Sequence, residues 1–66
     1  MHSLGERIRH HREKTAMKQK DLAKAAGISR VTLNRIENGE QAPRYENLVA
    51  IGKALGVSFT DLVNAD

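Results

Sequence analysis

Sixty-six residues with eleven Lys or Arg against eight Asp or Glu give a net charge of +3. A chain this short buries only about 60% of the surface that its unfolded form exposes, which leaves room for one small domain and little for an enzyme cleft. It has no Cys and three His, its apolar runs fall far short of the roughly 20 residues that span a bilayer, and no signal segment follows the basic N-terminus; disulfide frameworks, thiolate metal sites and membrane spans are excluded, and a soluble cytoplasmic protein is expected.

Ser3-Leu4-Gly5-Glu6 has the spacing of a capping box, in which a hydroxyl and a carboxylate satisfy two backbone donors at a helix start. Leu4, Ile8 and the stem of Arg12 then repeat every four residues. This predicts a first helix over about 4–14, with that stripe inward and Arg7, Arg9, His10 and Lys14 outward. A second helix is expected over about 19–26, with Leu22, Ala23 and Ala26 inward and Gly27 as its left-handed stop. Ser29 caps a third helix over about 30–38, closed by Asn38-Gly39. Glu40 to Pro43 reads as a loop, because proline disfavours helix in the residue before it. A fourth helix is expected over about 45–55, with Leu48, Ile51 and Leu55 inward and Gly56 as its stop, and Ser58-Phe59-Thr60-Asp61 opens a short fifth. Leu62 and Val57 are the expected core members of that last segment. No linker or repeat interrupts residues 1–66, so the chain reads as a single all-α domain, a compact five-helix bundle.

The informative stretch is Gln19 to Ile36. Its second and third helices are separated only by Gly27-Ile28-Ser29, too tight a joint for an antiparallel hairpin, so the helices must cross steeply. Ala23 is small where the third helix passes close above it, Gly27 permits positive φ, and Ile28 plugs the turn into the core with Leu22, Leu33 and Ile36. An αα-corner with no nucleic-acid role shares several of these features, but their combination specifies a helix-turn-helix.

At about 100° per residue, Arg30, Val31, Asn34, Arg35 and Asn38 fall on one outward face of the third helix, and no acidic residue interrupts it. Arg can take a guanine edge, Asn an adenine edge and Val a thymine methyl in the major groove. The bland alternative is a solvated surface helix. Val31 argues against it, since an outward β-branched residue near a helix start adds little to solubility or helix propensity. Charge is distributed in the same sense: residues 1–20 carry +4, residues 21–44 carry +1 and residues 45–66 carry −2. Such asymmetry orients an encounter with a polyanion.

The tokens Gln19-Lys20-Asp21-Leu22-Ala23, Ala26-Gly27-Ile28-Ser29, Ile36-Glu37-Asn38-Gly39, Pro43 and Leu55-Gly56-Val57 resemble the Cro and phage-repressor type of helix-turn-helix domain, the xenobiotic-response-element family. The resemblance runs from Leu4 to Val63. It implies a lambda-repressor-like DNA-binding domain of bacterial or phage type, a transcriptional regulator and in particular a repressor. Its partners would be double-stranded DNA and a second copy of the chain, reading a near-palindromic operator with half-sites about 34 Å apart. Carried over by position, Arg30, Val31, Asn34 and Arg35 would face bases. Lys18, Gln19, Ser29, Thr32, Asn38 and Arg44 are the candidate phosphate contacts, and Arg12 and Glu37 would form a structural ion pair.

Three positions depart from the family pattern. Lys18 stands where a capping Ser, Thr or Asn is usual, which weakens the second helix start by about 1 kcal/mol while placing a cation near phosphate. Arg44 stands where a serine often follows the loop proline. The usual glutamine after the turn is Arg30, so base preference does not transfer from a relative.

The remaining candidates are weaker. His10 and His11 point about 100° apart on a helix without a third ligand, so no metal site is expected. No nucleophile has a base and orienter at readable spacing, and neither an enzyme nor a cofactor is expected. Phe59 and Val63, four apart in the fifth helix, are the candidate dimer surface, unless Phe59 merely closes the small core. An antitoxin-like, partner-binding module on the same fold is the alternative function; the lack of a docking tail after Asp66 disfavours it.

Overall fold

The computed structural model describes residues 3–64. Five helices account for most of them: α1 Leu4–Lys14, α2 Gln19–Ala26, α3 Arg30–Glu37, α4 Tyr45–Leu55 and α5 Phe59–Val63, with no strand among the described residues. The five expected segments are therefore all helical. α3 ends at Glu37, one residue before the expected boundary, and Asn38 serves as its C-cap.

Local chemistry sets these limits. Ser3 Oγ accepts from the Glu6 amide at 3.2 Å while Glu6 Oε1 accepts from the Ser3 amide at 3.0 Å, which completes the capping box that opens α1. Ser29 and Ser58 cap α3 and α5 by accepting from Thr32 and Asp61 amides. Lys18 and Arg44 precede α2 and α4 with extended backbone and no side-chain cap. The Lys18 amide has only Asp21 Oδ2, at 3.4 Å. α1 ends in a way that its sequence does not announce: Ala16 adopts φ +60°, and the Ala16 and Met17 amides close back onto the Glu13 and Arg12 carbonyls. This is a Schellman closure built on alanine, where glycine is the usual residue.

The core is one cluster. Ile8, Leu22, Leu33, Ile36, Ile51 and Leu62 are almost wholly enclosed, with Ala23, Ala26, Leu48 and Leu55 around them and Leu4, Met17, Ile28, Val57 and Val63 half-buried at its margin. Each enclosed aliphatic side chain contributes about 1.5–3 kcal/mol by leaving water. α2 lies against α3 and α4, and α1 against α3, α4 and α5. The approach of α1 to α3 is close at Gly5, where an added Cβ would stand 2.3 Å from the Ile36 carbonyl oxygen and 2.7 Å from that of Glu37.

Two residues expected to be free on the outward face are tied to other elements. Arg7 donates from Nε to the Leu62 carbonyl at 2.9 Å and from Nη2 to the Val63 carbonyl at 3.0 Å, supplying donors to backbone oxygens that the short α5 leaves unpaired. Arg9 reaches across to Glu37 and Asn38. Spacing on one helix cannot reveal such bonds, because their acceptors belong to other elements.

Candidate nucleic-acid interface

The interface is built on the short joint between α2 and α3. Gly27 takes φ +73°, which lets the chain reverse after Ala26, and the Ile28 amide closes onto the Ala23 carbonyl at 3.0 Å. Ile28 is half-buried against the core, so the turn is anchored rather than free. Leu33 and Ile36 fix the inner side of α3. Its outer side therefore presents Arg30, Val31, Asn34 and Arg35, all exposed. Val31 keeps 60% of its surface in water, an unusual place for a β-branched side chain. The side chains of Arg30, Arg35, Lys18 and Arg44 make no ion pair or hydrogen bond with any described residue, so their charge is available to an incoming anion.

Beneath this surface lies one buried carboxylate. Glu37, at the end of α3, is enclosed. Arg12 grips it bidentately, Nε to Oε2 at 2.7 Å and Nη2 to Oε1 at 3.0 Å, while its Nη1 donates to the Met17 carbonyl at 2.9 Å. Arg9 Nε adds a third cationic contact at 3.3 Å, and Arg9 Nη2 donates to Asn38 Oδ1. Burial pushes the Glu37 pKa up and is the largest single influence on it. Hydrogen bonds from Arg12, Gln19 and Arg9, together with the Arg12 charge, outweigh that effect, so the carboxyl titrates below its ordinary range. The Arg12 pKa is raised, chiefly by its hydrogen bond to Glu37. Thus α1, the α1–α2 connection and α3 are joined at one point, and no buried side-chain nitrogen or oxygen among the described residues lacks a partner.

Gln19 extends this network to the surface. Its Nε2 donates to Glu37 Oε1 and to Asn34 Oδ1, each at 3.1 Å. The candidate residues Arg12, Gln19, Asn34, Glu37 and Asn38 are thereby joined in one polar system, together with Arg9, which sequence reasoning did not single out. Ser29 and Thr32 form a separate pair, hydroxyl to hydroxyl at 2.9 Å, in the α3 cap. Arg44 stands apart at the start of α4.

The candidate dimer residues divide. Phe59 is 37% exposed and its ring lies 5.2 Å from that of Tyr45, itself 69% exposed. Phe59 therefore does not close the core. Val63 is half-buried and packs against the core, so the exposed apolar surface beside Phe59 is not the pair expected from spacing. The chain's two aromatic residues instead meet at its surface, near the starts of α4 and α5. Among the described residues, no three His, Asp or Glu approach closely enough to hold a metal ion, and no helix is long and apolar enough to cross a membrane.

Two helices joined through the three residues 27–29, the second with a cationic outer face free of acidic residues, are the arrangement of the helix-turn-helix class. The helix-turn-helix family model matches residues 8–62, and the chain belongs to that family. It is 41% identical over 63 residues to repressor protein C2 of Salmonella phage P22, covering 96% of this chain and 29% of the relative. It is 39% identical over 64 residues to the transcriptional regulator DicA of Escherichia coli (strain K12), covering 97% and 47% respectively. The chain thus spans less than half the length of these relatives. The P22 c2 repressor in complex with a synthetic operator has a similar structure, with a TM-score of 0.93 at 39% identity and full coverage of both chains. SinR in complex with DNA gives a TM-score of 0.88 at 28% identity, covering 94% of this chain and 100% of that one.

Proposed function

We propose that residues 1–66 are a single sequence-specific DNA-binding domain of a transcription regulator, and of a repressor in particular, which reads operator DNA by laying α3 in the major groove. The observation that carries this reading is the outer face of α3: Arg30, Val31, Asn34 and Arg35 are exposed together without an acidic neighbour on that face, above a rigid ion-paired support. Arg30 and Arg35 suit guanine edges, and Val31 suits a thymine methyl. Lys18, Ser29, Thr32, Asn38 and Arg44 surround them as phosphate contacts that set register without carrying sequence information, while the Gln19 side-chain NH2 is taken up by Glu37 and Asn34, which leaves its backbone amide for phosphate. The relatives support the reading, since their names are those of repressors and transcriptional regulators and two similar structures are complexes with DNA.

One copy reads one half-site. Two copies related by two-fold symmetry would place their recognition helices about one DNA turn apart, with the Tyr45–Phe59 surface as the contact between them. Selection of bound duplexes from a random pool tests the proposal: it should return a near-palindromic consensus. Recovery of unrelated sequences at equal affinity would remove the base-reading claim. Replacing Phe59 with Glu should lower the mass of the DNA-free or DNA-bound dimer to that of one copy, and an unchanged dimer would remove the contact.

A further inference from the structure

The fixed polarity of the network beneath α3 has a consequence for what the recognition helix can read. We infer that Gln19 is a positioning residue that locks the Asn34 amide with its NH2 group toward DNA, so that this position selects a keto base, guanine or thymine, over an amino base. The inference rests on the base-reading proposed above.

Hydrogen-bond polarity is fixed from the inside of the fold outward. The Glu37 carboxylate, gripped by Arg12 and Arg9, has only acceptors to offer. The arm of the Gln19 amide that faces it at 3.1 Å must therefore be the NH2 group, because the opposite flip would set two oxygens against each other. That NH2 group has a second hydrogen, and the atom 3.1 Å away in its direction is Asn34 Oδ1. A donor on Gln19 requires an acceptor on Asn34, so the Asn34 flip is set as well. Its Nδ2, with two hydrogens, is the remaining arm; Asn34 is exposed, and no described residue accepts from that nitrogen. A carboxylate on the inside of the fold thus dictates a donor at the surface, through two amides in series.

In the major groove, guanine presents O6 and N7 and thymine presents O4, all acceptors, whereas adenine presents one acceptor, N7, beside its N6 amino donor, and cytosine presents only its N4 amino donor. A bidentate adenine pair needs both arms of the Asn amide aimed at the base. Here the oxygen arm is turned to Gln19, so the bidentate adenine pairing that residue type alone offers is unavailable: an outward NH2 group reaches adenine only at N7, beside an N6 amino group that it meets donor to donor, and finds no acceptor on cytosine, whereas both of its hydrogens find acceptors on guanine.

The test uses the whole chain on its selected duplex. The base position that Asn34→Ala renders indifferent is varied through all four base pairs, and affinity is measured for each. A keto base facing α3 should be preferred over an amino base by about tenfold. Gln19→Leu, which removes both donors, should reduce that preference to within about threefold while leaving the ranking at the Arg30 and Arg35 positions intact. Asn34→Asp, an acceptor only, should reverse it toward an amino base. Preference for adenine in the unsubstituted chain would overturn the inference even if Gln19→Leu failed to fold. A keto preference that survives Gln19→Leu, or an Asn34→Ala variant that leaves every position discriminated, would also overturn it, with base-reading by α3 intact. Failure to select any consensus would instead remove the reading on which it rests.

Discussion

Arg12 of α1 and Glu37 of α3 face each other at 2.7 Å between their helices, the carboxylate enclosed and the guanidinium largely so. Removing either partner alone strands a charge in a place that water does not reach, which costs about 3–5 kcal/mol, whereas replacing both with apolar residues of similar volume is often near neutral. Arg12→Met and Glu37→Leu should each lower the urea midpoint sharply, and the double variant should recover most of the loss. Additive losses in the double-mutant cycle would contradict a coupled pair.

The same carboxylate sets an acid limit on stability. Glu37 titrates below its ordinary value of 4.5 in the folded chain, so its contribution is present above that value and is lost as pH falls through the lower folded one. Unfolding measured from neutral pH downward should show stability declining below about pH 5, and Glu37→Gln should flatten that decline while lowering stability at neutral pH. An unchanged pH profile in the variant would assign the decline to other groups.

Two local features weaken the fold near the interface, and they should respond differently. Ala16 holds a left-handed φ of +60° that costs an alanine about 1–2 kcal/mol, so Ala16→Gly should leave stability level or raise it by up to about 1 kcal/mol without changing DNA affinity. Lys18 leaves α2 without a side-chain cap, so Lys18→Ser should add about 1 kcal/mol while weakening binding to all duplexes alike. Thermal melts and paired binding titrations separate the two effects. A Lys18→Ser variant that bound as tightly as the parent would remove Lys18 from the phosphate contacts.

Gly5 lies where α1 meets the end of α3. Gly5→Ala would bring a methyl group to 2.3 Å from the Ile36 carbonyl oxygen, a backbone atom that cannot turn aside, and the shift needed should cost about 1–3 kcal/mol. A thermal melt reads it directly. The outcome is the opposite of the usual gain for Ala over Gly within a helix, so an unchanged or higher melting temperature would contradict the close packing.

Periodicity and caps made the helices legible because both are local: Ser3 with Glu6, Ser29, Ser58 and the stripe of Leu48, Ile51 and Leu55 each declare themselves within one helix. The outward face of α3 was legible for the same reason. What spacing could not convey were bonds between elements. Arg7 reads as a surface cation until the α5 carbonyls are placed beside it, and Arg9 until Glu37 is. Gly5 looks like a weak point in α1 until the Ile36 carbonyl is seen against it. Gln19 was expected at a phosphate by position, and only the fold reveals that both of its amide hydrogens are engaged by Glu37 and Asn34. Tyr45 went unremarked because its partner Phe59 lies on another helix.

The central claim, that α3 reads base sequence while surrounding residues hold phosphate, is tested most directly by measuring affinity for the selected duplex and for a scrambled duplex of equal length across a salt series. The selected duplex should bind about a thousandfold more tightly, with both affinities falling as salt rises by a slope of about 0.9 per phosphate contacted. Arg30→Ala and Arg35→Ala should narrow the ratio between duplexes, and Arg44→Gln should lower both affinities and reduce the slope by about one. Equal affinity for the two duplexes, or an affinity indifferent to salt, would contradict the account.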